Sequence, residues 1–354
     1  MSVFRRVFNE LTGRGDASVR VPLLDGALRP NQDIEEADTV CEAEAPDNVV
    51  SYRGEVVFSS GSKILKSDGQ TVLEAPAAIT ALAVSPDDRL AVGLDGAGVM
   101  IVAPDGAETR VCSHLENPTA LLFLDDALVV ANGSANNRNA DWKRDLMEGG
   151  RAGLGTGSVW LSREGQETEI ANGLGYPYGL ALAQDGRLVV SEGWKHRLLA
   201  IDPNRPERRE ELYSDLPAYP ARLARAEGGG YWLAAFAPRS QMVEFVLREA
   251  GYRNRMVAEI HPDHWVAPSM KSRQSFLEPL QGGGVKQLGI LKPWAPSWSY
   301  GLVIRLGEDF IPVSSHHSRA DGTHHGVTSV LQDGNRLYVA SRGGNKILSL
   351  HIGG

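Results

Sequence analysis

What the chain lacks narrows its chemistry first. It has two cysteines in 354 residues, Cys41 and Cys112, with no metal-type spacing between them. That excludes a zinc knuckle and a disulfide-dense scaffold. With no export signal in view, the two thiols are expected to be buried and reduced, and the protein cytoplasmic. No apolar run approaches the ~20 residues of a membrane span. Lysines and arginines are scattered and the formal net charge is −8, which argues against a nucleic-acid surface or an anionic-membrane anchor. There is no G-x-S-x-G elbow, no Walker motif and no dinucleotide fingerprint, so those enzyme classes are set aside. Long helical periodicity is nearly missing, which disfavours a βαβ architecture. The exception is the start, MSVFRRVFNELTGRG, where Val3, Phe4, Val7, Phe8 and Leu11 share one helical face. It lacks the continuous apolar core and small-residue cleavage site of a secretory signal, and reads as a helical extension over residues 1–17 packing on the body.

What is present is a repeat: an apolar run, a turn with Asp or Gly, a second run, then a third after a short break. It occurs in NVVSYRGEVVFSSGSKILKSDG, ITALAVSPDDRLAVGLDGAGVMIVAPDG, TALLFLDDALVVANG, YGLALAQDGRLVVSEGWKHRLLAIDP, ARLARAEGGGYWLAAF and VTSVLQDGNRLYVASRGGNKILSLHI. The runs are short, often alternating, rich in β-branched and aromatic residues, and separated by hairpin turn chemistry. Six copies of a four-stranded antiparallel meander predict an all-β, six-bladed β-propeller in one domain, whose closed ring removes free sheet edges. ASVRVPLLDG near the start is expected to supply the outer strand of the last blade. Two insertions interrupt the repeat. One runs from Asn132 to Gly155, with a helical turn expected at Asp141 to Met147. The other runs from Tyr252 to Trp298, with a helix expected at Ser272 to Leu280. Insertions on repeat scaffolds map to loops on one face, so both are expected to cap the central channel.

PYGLALAQDGRLVVSEGWKHRLLAI, LPAYPARLARAEGGGYWLAA, SYGLVIRL and VTSVLQDGNRLYVAS carry a family resemblance. The Pro-x-Gly strand leading to V-x-E-x-x-x-x-x-I, and the Leu-Pro-x-Tyr-Pro segment followed by Gly-x-x-Trp, resemble the strictosidine-synthase-like propellers from about Asp47 onward. The wider superfamily of gluconolactonases and paraoxonases is similar in blade layout, and the resemblance implies a Ca²⁺ site in the central channel. At the matching positions this chain reads Pro118, Thr119 and Ala120 in the third blade, Tyr178 in the fourth, and Pro220 and Ala221 in the fifth. Only Asp47 keeps a carboxylate, although a one-residue slip would bring Asn117 back. A hard cation needs several oxygen ligands, so Ca²⁺ is disfavoured and no cofactor is expected. The glutamate that serves strictosidine synthases as general base falls here on Val327 or Thr328, so true strictosidine synthesis is not expected. A histidine of that family matches His196.

His196 is therefore an acid/base candidate, one turn past Glu192. SSHHSRADGTHHGV places His316, His317, His324 and His325 within ten residues. Neighbouring histidines on an extended strand face opposite ways, so a shared metal site is not expected, and His324 or His325 is read as a base at the channel mouth. Tyr178, Tyr219, Trp142, Trp194 and Trp298 are candidate aromatic walls for a substrate, with Glu192 and Asp47 as polar contacts. The resulting expectation is a small-molecule hydrolase acting on an ester or lactone. The alternatives are a metal-independent amine–aldehyde condensation of the Pictet–Spengler type, or a non-catalytic propeller that binds a ligand. No nucleic-acid partner and no membrane span are expected.

Overall fold

A computed structural model describes residues 21–150, 155–279, 286–287, 290–291 and 299–353. The helix expected over residues 1–17, and Trp298, lie outside them.

Six four-stranded antiparallel sheets form the ring. Their innermost strands are Asp47–Tyr52, Ile79–Val84, Pro118–Leu124, Pro177–Leu182, Ala218–Arg225 and Val327–Asp333. Each blade's hairpins follow the turn signals: Arg53–Gly54 and Glu164–Gly165 both hold positive φ, as two-residue turns between twisted strands require. Inner and second strands are buried on both faces, which is why Leu90–Leu94 and Leu188–Glu192 are buried at every position. Outer strands such as Arg205–Tyr213 are mostly exposed and charged. Apolar clusters fill the spaces between adjacent blades.

Gly179 of the Pro-x-Gly strand has a packing reason. A Cβ there would stand 2.5 Å from the Ala221 carbonyl oxygen and 2.9 Å from Arg222 Cα, both backbone atoms of the next blade. Ser191 Oγ donates to the same Ala221 carbonyl at 2.6 Å, so blades four and five close on each other at this point.

The ring closes through a different strand from the one the sequence suggested. Asp38–Glu42 pairs antiparallel with Lys346–His351, from Asp38 opposite Ser349 to Glu42 opposite Lys346. The described part of ASVRVPLLDG, from Val21 onward, is irregular up to a short 3-10 turn at Gly26–Leu28. Pro22 removes a ladder donor, which works against strand pairing there. Cys41 is half-buried and Cys112 buried, and the two are not joined. Burial pushes the Cys112 thiol up to about 12.

The first insertion forms α1 (Trp142–Asp145), continuing as a wider turn through Gly150. The second differs from the expectation. It begins earlier than Tyr252, directly after the strand that ends at Pro238. Its helices are α2 (Gln241–Arg248) and α3 (Ala250–Glu259), while the described residues from Ser272 to Pro279 form no helix. Ser240 caps α2 by accepting from Val243 N, and the helix buries Val243, Val246 and Leu247. At Ser272–Pro279 the carboxylate of Glu278 accepts from the backbone N–H groups of Arg273, Gln274 and Ser275. This is a helix start whose continuation Pro279 blocks. Among the described residues no helix is long and apolar enough to cross a membrane.

Candidate functional site

The starts of the six inner strands converge on the ring axis, and a guanidinium occupies that point. Arg222 donates through Nη1 to Asp47 Oδ1 at 2.6 Å and through Nη2 to the Thr80 carbonyl at 2.6 Å. It also lies over the Tyr178 ring at 4.9 Å. Asp47 Oδ1 accepts further from the Thr328 hydroxyl at 2.7 Å and from Asn48 N, while Oδ2 takes Arg342 at 3.4 Å. Asp47 is thus a ligand already bound to the protein's own cations. Burial, and secondarily the Asp47 charge, pushes the Tyr178 hydroxyl above its ordinary range.

These residues do not fit a hard divalent cation. Thr119 points its hydroxyl at the Pro177 carbonyl, and Asn117 is spent on the first insertion, where its amide donates to the Asn137 carbonyl at 3.0 Å. Among the described residues no group of three or more His, Cys, Asp or Glu side chains is placed to hold a metal.

On the insertion side of this cluster lies an aromatic plug. Trp194 stacks on Tyr176 at 4.5 Å and on Trp142 at 6.2 Å, and meets Tyr219 and Phe236 edge-on. Leu146 and Met147 of the first insertion, and Val243, Met256 and Trp265 of the second, pack into the same core. Asp145 anchors the first insertion by accepting from Trp194 Nε1 at 2.7 Å. Tyr178, Tyr219 and Trp194 are therefore buried packing, and of the four described aromatic candidates Trp142 alone faces a cavity.

The histidine candidates lie apart. His196 is buried with its ring edge-on to Tyr219 at 4.5 Å, and its Nε2 stands 3.5 Å from Glu244 of α2. Glu244 also pairs with Arg239, so this group docks α2 on the ring. His325 has both nitrogens engaged, Nδ1 with the Ser299 hydroxyl and Nε2 with the Arg319 carbonyl, each at 2.7 Å. His324 Nδ1 meets the Ile34 carbonyl at 2.8 Å, tying the last loop to the N-terminal segment. His316 and His317 face opposite ways, as an extended strand dictates: His316 pairs with Asp33 and His317 is wholly buried. Glu192 is fully buried and accepts from Gly175 N, Lys195 and Arg197, bracing blade four.

A cavity of 540 Å³ lies between the two insertions. Trp142, Lys143 and Arg144 line one side; Asp263, His264, Trp265, Met270, Lys271 and Glu278 line the other. Lys143 Nζ reaches the Pro262 carbonyl across the gap between the two walls, at 3.5 Å. Burial pulls its pKa down, against the opposing pull of Asp263 and Glu278. A second, smaller cavity of 290 Å³ lies among all six inner strands, with Arg222, Asn48, Ser51 and Ser329 at its polar positions and Leu82, Leu121 and Leu223 among its walls.

Sequence reading missed Arg222, Lys143, His264 and Trp265. Arg222 stands one residue beyond the Pro220-Ala221 pair compared with the metal-binding propellers. The Asp263-His264-Trp265 triplet was visible as chemistry-bearing residues in an insertion, but nothing in the spacing joined it to Lys143.

No protein-family model and no curated protein matches the sequence. Among solved structures the chain is similar to a candidate gluconolactonase, with a TM-score of 0.53 and 13% identity over 89% of this chain and 91% of that one. It is similar to a gluconolactonase of Xanthomonas campestris, with a TM-score of 0.52 and 16% identity over 90% and 88%. It is also similar to a luciferin-regenerating enzyme, with a TM-score of 0.51 and 13% identity over 91% and 94%. At these identities the likeness is one of fold.

Proposed function

We infer that this chain is a small-molecule enzyme of the lactonase-like propeller class, hydrolysing an ester or lactone held between its two insertions. The observation that carries the reading is the 540 Å³ cavity itself. It has the size of a small-ligand site, with indole faces from Trp142 and Trp265 and titratable groups from both walls. Similar propellers include two that bear the gluconolactonase name, and the chain's own motifs resemble the strictosidine-synthase-like branch. Fold-level likeness supports the class and leaves the substrate to the site.

His264 is the imidazole in the cavity lining, and it is the group assigned as general base. In this reading it takes a proton from water as the oxygen attacks the substrate carbonyl carbon. The tetrahedral intermediate then expels the ester or ring oxygen, which recovers the proton, leaving an acid and a hydroxyl. His196, His324 and His325 hold the lid and loops in position around that chemistry.

The test is turnover of a panel of γ- and δ-lactones and aryl esters by the full chain and by His264→Ala. Loss of kcat by about a hundredfold with a smaller change in KM supports the assignment. No turnover of any panel member, or an unchanged rate in the variant, overturns it.

A further inference from the structure

Lys143 sits in the same cavity in an unusual position for a lysine. Its ammonium has no carboxylate within ion-pair distance among the described residues; its polar contact is the Pro262 carbonyl at 3.5 Å, with the Trp142 ring centre 5.8 Å away. The charges sharing the lining are largely committed elsewhere. Arg144 pairs with Glu148 at 3.2 Å and lies over Trp265 at 5.7 Å. Glu278 accepts three backbone N–H groups. Asp263 is exposed, 3.5 Å from His261, and Asp141, His264 and Lys271 complete the set. An amine that is half-buried, weakly hydrogen-bonded and aimed into a cavity between two indoles is placed to react as a nucleophile.

We propose that Lys143 is a carbonyl-capturing amine, whose Nζ forms an imine with an aldehyde or ketone carried on a flat apolar body lying against Trp142 and Trp265. The nitrogen lone pair attacks the carbonyl carbon and the carbonyl oxygen takes up the displaced proton. The carbinolamine then loses that hydroxyl as water on a second proton transfer, leaving a C=N bond to Nζ; carbonyl and amine give imine and water with no other reagent. Burial of Lys143 raises the fraction of neutral amine available at neutral pH. The inference shares the cavity with the hydrolase reading but not its reaction.

The experiment treats the full chain with benzaldehyde and sodium cyanoborohydride at neutral pH, then locates the benzylamine by peptide mass mapping. The expected result is a single adduct on Lys143, formed at least about tenfold faster than on the solvated surface lysines. Lys143→Met and Lys143→Arg, with thermal melting recorded to show that each still folds, are expected to lose that fast adduct and retain only the slow background. Labelling spread evenly over the lysines, or a fast adduct on Lys271, overturns the proposal. Trapping reads the amine and not hydrolysis. Label at Lys143 without lactone turnover therefore sinks the hydrolase reading alone, and lactone turnover without label sinks the imine alone.

Discussion

Arg222 reaches across the axis of the propeller to Asp47, joining the fifth blade to the first through a 2.6 Å charge-assisted hydrogen bond at the point where all six inner strands begin. Its second nitrogen binds the Thr80 carbonyl of blade two, and the Asp47 oxygen also holds Thr328 of blade six. One guanidinium therefore ties four blades together. Arg222→Met would leave the Asp47 charge buried with Arg342 as its remaining cation, at a cost of about 3 kcal/mol. A double-mutant cycle with Asp47→Asn, read by urea unfolding, is expected to give a coupling well above 0.5 kcal/mol, roughly the limit for independent sites. Additive costs would remove Arg222 as the axial tie.

Gly179 and Gly251 should respond oppositely to alanine. At Gly179 the new methyl meets backbone atoms of blade five, which cannot rotate away, so Gly179→Ala is expected to destabilise by about 1–3 kcal/mol. Gly251 lies in α3 with open space where its Cβ would go, and Gly251→Ala is expected to stabilise by up to about 1 kcal/mol. Paired thermal melts check both signs. A neutral Gly179→Ala would mean that the blades are not held at this contact.

The blades were legible because hairpin chemistry is local: Asp-Gly and Arg-Gly turns between alternating apolar runs mark each strand without knowledge of its partner. The closing strand was not, because Asp38–Glu42 is short, carries acidic residues at both ends, and is defined only by pairing with Lys346–His351, about 300 residues away. The second insertion misled for another reason. Met242-Val243-Glu244-Phe245-Val246-Leu247 is as compatible with a strand as with a helix by composition. The Ser240 cap decides it, while the Ser275–Glu278 cap precedes a proline that stops any helix. For the candidate site, Trp142 was found because its insertion stood out from the repeat. Lys143 and His264 were not, since their meeting depends on two loops folding over the same mouth.

Chelation is expected to leave the protein unchanged. Asp47 already binds Arg222, Arg342 and Thr328, so a divalent cation would have to displace a guanidinium to gain one carboxylate. Metal content and thermal midpoint, measured before and after treatment with EDTA, check this. Stoichiometric calcium whose removal lowers the midpoint would overturn the assignment of the axial position to Arg222.

Acid should destabilise the protein through His317. The ring is wholly buried in the fifth blade, edge-on to Tyr300, and its Nε2 meets the Ser315 hydroxyl at 2.8 Å. Burial first, and the neighbouring His316 charge second, push its pKa down to about 4. The unfolded chain takes up this proton near pH 6.5, so between those two values the unfolded state binds more protons and stability rises with pH. The contribution is complete above about pH 6.5, falls as pH is lowered from there, and is exhausted below about 4, a loss of roughly 3 kcal/mol at about 1.4 kcal/mol per unit. His317→Gln removes the titrating group while keeping a polar side chain for Ser315. Unfolding free energies measured at pH 7, 6, 5 and 4 should therefore fall less steeply for the variant than for the wild type. Parallel curves would assign the acid sensitivity to other groups, of which the buried His325, also shifted down by its burial, is the next to test.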